Sequence, residues 1–572
     1  MLLSNLNLLA TAPGGVARLR ELILTLAVQG KLVAQDPSDE PASVLLKKIR
    51  VEKDRLIAAG KIKRDKPLAE IADEEMPYPV PTGWEWSNLA TIGVINPRND
   101  ASDETISSFV EMRSIPAAFS AAHTTESRPW RDIKSGFTQF AEDDVGVAKI
   151  TPCFENGKST VFKNLSNGIG AGTTELHIVR PLGCIASRYV LLFLKTPAFL
   201  ADGEAVMTGS AGQKRMPRVY FESTPFPLPP LAEQSRIVTR VEELMRLCDA
   251  LEVKGQLESA QHAQLVSTLL GTLTESETPE QLTENWQRIA THFDLLLDRP
   301  QAVDALEQTI LQLAVRGLLV PQDPQDEPAS TLLKKIRLEK DHLIAQGKIK
   351  RDKPLPPIAE DEQPFALPPG GWAWVRVADL CSMVTDGEHL TPTRCDDATQ
   401  VPLVTAKNVR HEVMDYRVTD YVPQDVAEKC WQRCKPLVGD ILMVSVGATL
   451  GRLCVLREPL DMVLVRSVTV LRPVHLGVSM DFLALQLMSQ DSQREIWREV
   501  KQSAQPCLYL AKSAALKIAL PPLPEQSRIV TRVAQLRRLC FELRQRLSAS
   551  QSTQAHLAEA LVDSVGSGLP VS

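Results

Sequence analysis

Ala27 to Pro67 reads AVQGKLVAQDPSDEPASVLLKKIRVEKDRLIAAGKIKRDKP, and Ala314 to Pro354 reads AVRGLLVPQDPQDEPASTLLKKIRLEKDHLIAQGKIKRDKP. The same stretch is thus written twice, 287 residues apart, with 33 of 41 positions identical. A second pair, LPPLAEQSRIVTRV from Leu228 and LPPLPEQSRIVTRV from Leu520, matches at 13 of 14 positions, 292 residues apart. The segments enclosed by these blocks, residues 85–227 and 373–519, barely resemble each other. A unit repeated in this way is one scaffold used twice, and it implies pseudo-two-fold symmetry within a single chain. The unlike inserts imply two different recognised objects.

The repeat reads as helices. Val16–Val28 is apolar with Gly30 just past its end, and DPSDEP supplies a turn. Pro41 opens the next helix, in which Leu45, Ile49, Glu52 and Leu56 share one stripe before Gly60 closes it. The copy from Val303 to Gly347 repeats the pattern. Basic and Pro-rich stretches ending in Trp84/Trp86 and Trp372/Trp374 lead into the variable segments. Pro229-Pro230 and Pro521-Pro522 cannot lie inside a helix, and beyond them apolar residues recur at 4-3 spacing. One series is Ile237, Val241, Leu244, Cys248 and Leu251; the other is Ile529, Val533, Leu536, Cys540, Leu543 and Leu547. This is an a/d seam. It predicts two helices of about 40 residues, ~60 Å long, packed antiparallel as a spacer. Glu275–Pro279 breaks the first from the second repeat. The variable segments hold short β-rich runs, with strands expected at Val145–Ala148, Leu176–Val179, Ile441–Val446 and Val468–Leu471. Helices are expected around Val190–Leu194 and Phe482–Met488.

At 572 residues, with 44% apolar and 23% charged residues, the composition is that of a globular chain of three or four domains. Net charge is −6. Lys+Arg and Asp+Glu balance at 14 each in residues 87–227 and at 17 each in 375–519, so any contact with phosphate requires charge sorted onto one face. Ten cysteines without a CxxC read as reduced thiols; Cys430 and Cys434 lack neighbouring histidines and do not read as a zinc site. No run of 18 apolar residues suggests a membrane span. The apolar N-terminus, with Ala10-Thr11-Ala12, lacks a basic n-region. Leu6–Leu9 also aligns with Phe293–Leu296 inside the chain, so it reads as scaffold and not as an export signal.

Several motifs fail on inspection. Gly157-Lys158-Ser159 imitates a phosphate loop, but Pro152 stands where that loop needs glycine. Gly168–Gly172 precedes a strand, the reverse of a dinucleotide fingerprint, and reads as a loop tip. His177 and His389 have no nucleophile at a telling spacing, and Asp143-Asp144 reads as a turn. Asn96-Pro97-Arg98 lacks the second proline and aromatic of an adenine-methyltransferase motif. With no triad, metal cluster or cofactor box, catalysis by this chain is unsupported.

The duplicated blocks, together with FAEDDVGVAKITPCFENGK (Phe140–Lys158), VGDILMVSVGATLGRL (Val438–Leu453), GSAGQKRMPRVYF (Gly209–Phe221) and KQSAQPCLYLAKS (Lys501–Ser513), resemble the specificity subunit of type I restriction–modification systems over essentially the whole length. The resemblance implies an α+β chain with two target-recognition domains separated by long antiparallel coiled-coil helices. The implied divisions are an N-terminal helical region (1–84), a first recognition domain (85–227), a central region with spacer helix and second repeat (228–372), a second recognition domain (373–519) and a C-terminal spacer helix (520–572). It further implies a non-catalytic, cytoplasmic subunit whose domains each read half of a bipartite, asymmetric site on double-stranded DNA. The implied partners are two modification (methyltransferase) subunits and restriction (motor–nuclease) subunits, with no membrane. S-adenosylmethionine, ATP and Mg belong to those partners, and no cofactor or metal to this chain.

Base edges are read by Arg or Lys on guanine and Asn or Gln on adenine. On that chemistry the candidates are Lys149, Lys158, Gln213, Lys214, Arg215 and Arg218 in the first domain, and Lys407, Asn408, Arg410, Arg452, Arg466 and Gln505 in the second. About half are expected to touch DNA, mostly at phosphate. Lys47, Lys48, Lys334 and Lys335, on exposed helix faces, are candidates for docking the modification subunits. Two other readings stand beside this one: a scaffold with two protein-binding domains, and a chain with its own methyltransferase or nuclease activity.

Overall fold

The computed structural model describes residues 6–63, 71–72, 74, 76–210, 212–276, 278–351, 355–474, 477–500 and 505–567. The chain divides into two compact units, Met1–Ser259 with Ser550–Ser572 and Ala260–Ala549. The spacer helices, Leu231–Thr274 and Leu523–Ser567, each contribute to both. Residues 550–567 group with the first unit.

In the first unit the repeat forms helices Gly15–Val28 and Ala42–Ala58. Gly30 ends the first with φ +69°, and a Cβ there would lie 2.4 Å from Pro81 and 3.1 Å from Trp84. Only glycine satisfies both the left-handed turn and the close approach. Leu45 and Ile49 are buried on the second helix, and Ile49 docks against Gly183 of the variable module, where a Cβ would come within 2.6 Å. Lys53 donates to the Ala90 carbonyl at 2.5 Å.

The first module is closed at its base by Glu85–Asn88 paired antiparallel with Pro225–Leu228. Above it, one sheet orders Gly93–Ile95, Leu176–Pro181, Val145–Ala148 and Ser159–Val161, all antiparallel. A second orders Glu126–Pro129, Ile106–Val110, Ile169–Gly172 and Thr138–Ala141, with Ile106–Val110 parallel to Ile169–Gly172. Every residue of Val145–Ala148 is buried, which is why it reads as an unbroken apolar run. The glycine-rich stretch corrects the sequence reading: it is a paired strand and not a loop tip. The rings of Phe140 and Phe162 stack 3.6 Å apart, and a Cβ on Gly170 would lie 2.5 Å from Phe140. The aromatic slab requires bare backbone beneath it.

The LPPLAEQSR block forms the junction between module, repeat and spacer. Glu233 and Gln234 are buried at the head of the spacer helix. Glu233 Oε2 accepts from the Trp84 indole at 2.9 Å, and Oε1 accepts from Gln35 at 2.8 Å. Gln234 Oε1 accepts from the Ala186 backbone N–H at 3.0 Å, while its Nε2 donates to the Pro229 carbonyl at 3.1 Å. Arg236 donates to Asp39 at 2.6 Å. Successive side chains thus tie one helix head to the module entry, the module's own helix and the repeat turn. Hydrogen bonds to charged groups contribute about 1.5–3 kcal/mol each.

The second unit builds the same joint. Trp372 donates to Glu525 at 3.1 Å, Gln526 accepts from Ser479 at 2.8 Å and donates to Pro521 at 3.2 Å, and Arg528 reaches Asp326 at 2.6 Å. Gly317 (φ +73°) lies under Trp372, Gly477 under Ile336, and Lys340 donates to Ala378 at 2.6 Å. Its module is closed by Ala373–Arg376 against Lys517–Leu520. One sheet orders Cys381–Asp386, Val468–Pro473, Ile441–Val444 and Leu453–Val455. A three-stranded sheet again contains one parallel pair, Val401–Val404 with Val463–Leu464. The two modules share the strand order of one four-stranded sheet and a parallel pair in the other, a likeness that their sequences do not advertise.

Within each unit the head of one spacer helix shares a core with the tail of the other, so their directions are antiparallel. Ile237, Val241 and Cys248 pack in one core with Leu19, Leu22, Ala558, Leu561 and Val562. Ile529, Val533 and Cys540 pack with Val303, Leu306, Val266, Leu270 and Leu273. The seam departs from strict heptads, because Met245 is buried where Leu244 is expected and residues 252–261 are exposed. The spacing of Ile237, Val241, Met245 and Cys248 is closer to the period of a straight helix, as befits a helix packed on a repeat helix as well as on its partner.

Glu525 differs from Glu233 in one respect. Its second carboxylate oxygen is buried without a hydrogen-bond partner among the described residues. Gln322, the counterpart of Gln35, bonds instead to the Gly317 carbonyl at 3.5 Å. Burial pushes the Glu525 pKa up from 4.5 to about 7 against the opposing Trp372 bond. Across that window the folded chain holds a proton that the unfolded chain has released, so stability falls as pH rises and the loss is complete above about 7. Glu525→Gln removes this dependence. Its Tm relative to wild type is expected to rise between pH 5 and pH 8, by an amount reflecting up to ~3 kcal/mol. Parallel Tm curves for the two proteins would show that Glu525 stays ionised in the fold.

Candidate nucleic-acid interface

The central strand of each module ends in the same setting. Beyond Ala148 the chain continues through Lys149–Thr151, whose backbone groups need partners outside the sheet. A return loop supplies them: Thr151 N–H donates to Lys214 at 3.0 Å, Met216 N–H to Lys149 at 2.7 Å, and Arg215 bridges both Ile150 and Thr208. Lys149 N–H donates to Glu175 at 2.9 Å. Lys149, Gln213, Lys214 and Arg215 are thereby brought together. In the second module Gly447 N–H donates to Pro506 and Leu508 N–H to Ser445, each at 2.9 Å. Ser445 N–H donates to Ser467 at 2.9 Å, Arg466 N–H to Glu388 at 2.9 Å, and Val444 N–H to Arg452 at 2.8 Å. Arg452, Arg466 and Gln505 therefore gather at the matching strand end.

The cations at these strand ends are not equivalent. Arg215 is held side-on by Glu175, with Nε to Oε2 at 3.0 Å and Nη2 to Oε1 at 2.9 Å, and its Nη1 donates to the Gln213 carbonyl at 3.3 Å. That arginine holds the Glu175 carboxyl below its ordinary pKa. Lys214 and Arg466 are exposed and Arg452 half-exposed, each without an ion-pair partner among the described residues. Gln213 and Gln505 are exposed. Glu175 and His177 carry no signal of their own in the sequence. His177 is buried, stacks on Phe221 and contacts the Met216 carbonyl at 3.2 Å. Burial holds its pKa down at about 4, so it anchors the return loop as a neutral ring.

Other candidates lie elsewhere or are already engaged. Lys158 donates to the Met112 carbonyl at 3.0 Å, which also disposes of the phosphate-loop imitation. Arg218 pairs with Glu222 on its own short helix. Lys407 pairs with Asp420 at 3.4 Å and Arg410 with Asp415 at 3.5 Å, on a loop whose Glu412 N–H donates to Leu453. Asn408 is corrected outright. It is fully buried, and its Oδ1 accepts from Thr405 N–H at 2.9 Å. Its Nδ2 donates to Asp415, Val418 and Thr419 at 3.0–3.1 Å. No polar group is left to face a base, so Asn408 is the brace of that loop. Asn96, with φ +47°, accepts from Ile178 N–H at 2.9 Å and forms a kink beside a strand.

The docking candidates repeat between copies. Lys48 pairs with Glu40 at 2.6 Å and Lys335 with Glu327 at 2.7 Å, while Lys47 and Lys334 are exposed without partners among the described residues. Val51 and Leu338, at the same repeat position, are 69% and 70% exposed. Among the described residues no three His, Cys, Asp or Glu side chains are grouped to hold a metal, and no helix is long and apolar enough to cross a membrane.

Asn408→Ala leaves several buried groups unpaired and is expected to lower stability by roughly 2–4 kcal/mol. Arg452→Ala and Arg466→Ala should each shift it by less than ~0.5 kcal/mol. Thermal denaturation of the three variants separates brace from surface, and an unchanged Tm for Asn408→Ala would return that residue to the candidate readers.

The chain is 44% identical over 554 residues to the Type I restriction enzyme EcoAI specificity subunit of Escherichia coli, covering 96% of this chain and 93% of the relative. It is 42% identical over 574 residues to the EcoEI specificity subunit of the same organism, with the same coverages. Residues 369–550 match the family model for the type I restriction modification DNA specificity domain. A chain solved in work on complex assembly and conformational transition of the type I R-M system aligns with a TM-score of 0.48 and 17% identity, covering 86% of this chain and 99% of that one.

Proposed function

Because the chain belongs to the specificity subunits of type I restriction enzymes, we propose that its two variable modules each read one half of a bipartite, asymmetric site on double-stranded DNA. The chain is the non-catalytic recognition subunit of its complex. The single observation that carries the two-reader reading is the shared strand end: two modules on matching joints each gather exposed or half-exposed cations without ion-pair partners among the described residues, Lys214 in one and Arg452 and Arg466 in the other, where the central strand runs out. Lys214, Arg452 and Arg466 suit phosphate or guanine, and Gln213 and Gln505 suit adenine. Divergent residues on a common frame are what two different half-sites require. Methylation of adenine with S-adenosylmethionine belongs to two modification subunits, and ATP- and Mg-dependent cleavage to restriction subunits, all in the cytoplasm. The exposed Val51 and Leu338, bordered by Lys47 and Lys334, are the docking surface offered to the modification subunits.

Selection from a random duplex pool tests the recognition itself. The complex assembled with this chain is expected to enrich one interrupted motif, whereas a protein-binding scaffold enriches none. Lys214→Ala/Arg452→Ala/Arg466→Ala should weaken binding and reduce the salt slope by about 0.9 for each phosphate that is no longer neutralised. An unaltered slope would remove these strand ends from the DNA surface. Val51→Asp/Leu338→Asp with Lys47→Glu/Lys334→Glu should abolish co-elution with the modification subunits on size-exclusion chromatography, and normal co-elution would leave that face to solvent.

A further inference from the structure

Two nearly identical frames in one chain pose a pairing problem. The contacts Trp84–Glu233, Gln234–Ala186 and Arg236–Asp39 have chemically identical counterparts in Trp372–Glu525, Gln526–Ser479 and Arg528–Asp326. The apolar seams are also alike. None of these contacts distinguishes the correct repeat helix from its copy.

One set of ion pairs does distinguish them. In the first unit Arg20, on helix Gly15–Val28, pairs with Asp249 and Glu252 of the first spacer helix, both at 2.7 Å. In the second unit Arg544 of the second spacer helix pairs with Asp304 at 2.8 Å and Glu307 at 2.7 Å, both on helix Pro300–Val315. The repeat offset of 287 carries residue 20 onto residue 307, and the spacer offset of 292 carries residue 252 onto residue 544. The pair Arg20–Glu252 therefore recurs at aligned positions as Glu307–Arg544, with its polarity reversed. A crossed frame would set Arg20 against Arg544 and Glu307 against Glu252, like charges at close range. Repulsion against the wrong partner is a recognised source of specificity where attractive contacts are degenerate.

We infer that this charge inversion assigns each repeat helix to its own spacer helix, so that the chain neither folds with crossed frames nor exchanges frames with a second copy of itself. The partner that the surface excludes is the chain's own duplicate.

The test refolds the full chain from denaturant and reads mass by light scattering on size exclusion. Wild type is expected to return as monomer. Arg20→Glu/Glu307→Arg keeps composition and net charge but places like charges in both correct frames and opposite charges in both crossed ones. It should show a lowered Tm and exchanged dimers, and adding Glu252→Arg/Arg544→Glu should recover part of the monomer, since Arg537 and Asp249 still face the reversed charges. The neutral variant Arg20→Gln/Glu307→Gln, which introduces no repulsion, should give a mixture of monomer and exchanged dimer at high concentration. Clean monomer from both uncompensated variants, or no recovery on compensation, overturns the inference.

Discussion

A carboxylate buried at the head of each long helix holds its own frame together. Glu233 and Glu525 are each 1% exposed, and a carboxylate so placed must be hydrogen-bonded or protonated. Each finds an indole N–H from the tryptophan that opens its module. The adjacent glutamine spends its amide on the module's helix and on the Pro-Pro bend, and the arginine two residues on closes the repeat turn. Every polar residue of EQSR except the serine is therefore committed to a different neighbour. That accounts for the near-identity of the two blocks: a change in any one side chain leaves a buried partner unpaired.

On that fixed joint the modules are free to diverge. What they keep is a topology of backbone pairings: a closing strap, an antiparallel sheet with a fully buried central strand, and a second sheet with one parallel pair. What they change is the chemistry where the central strand runs out. Each module also holds a buried aspartate beside that strand, paired with an arginine on its neighbour: Asp144 with Arg180 and Asp440 with Arg472, both at 2.7 Å. The frame thus fixes backbone and leaves side chains at the rim to vary, which is the division that sequence recognition needs.

The elements legible in the sequence are those marked by local physics. Val145–Ala148 stands out because both faces are buried, the repeat helices because glycine and proline punctuate them, and the break before Pro279 because Thr278 caps the next helix. Illegible features depend on residues distant in the chain. Gly168–Gly172 resembles a loop because the ring requiring its bareness belongs to Phe140, on another strand. Asn408 resembles a reader because nothing local announces that four loop groups converge on its amide. Arg215 and Glu175 lie 40 residues apart, and only the fold makes them a pair.

If two unlike readers on one duplicated joint act on separate halves of a single site, damage to one reader must spare the other half. Methylation mapping in cells carrying the complete system, with the wild-type chain and with Arg466→Ala, puts that to the test. The wild type should return an interrupted motif with two different halves. The substitution should relax or abolish recognition of one half and leave the other half and the gap unchanged. A continuous motif, or a change spread across both halves, would contradict the two-reader arrangement.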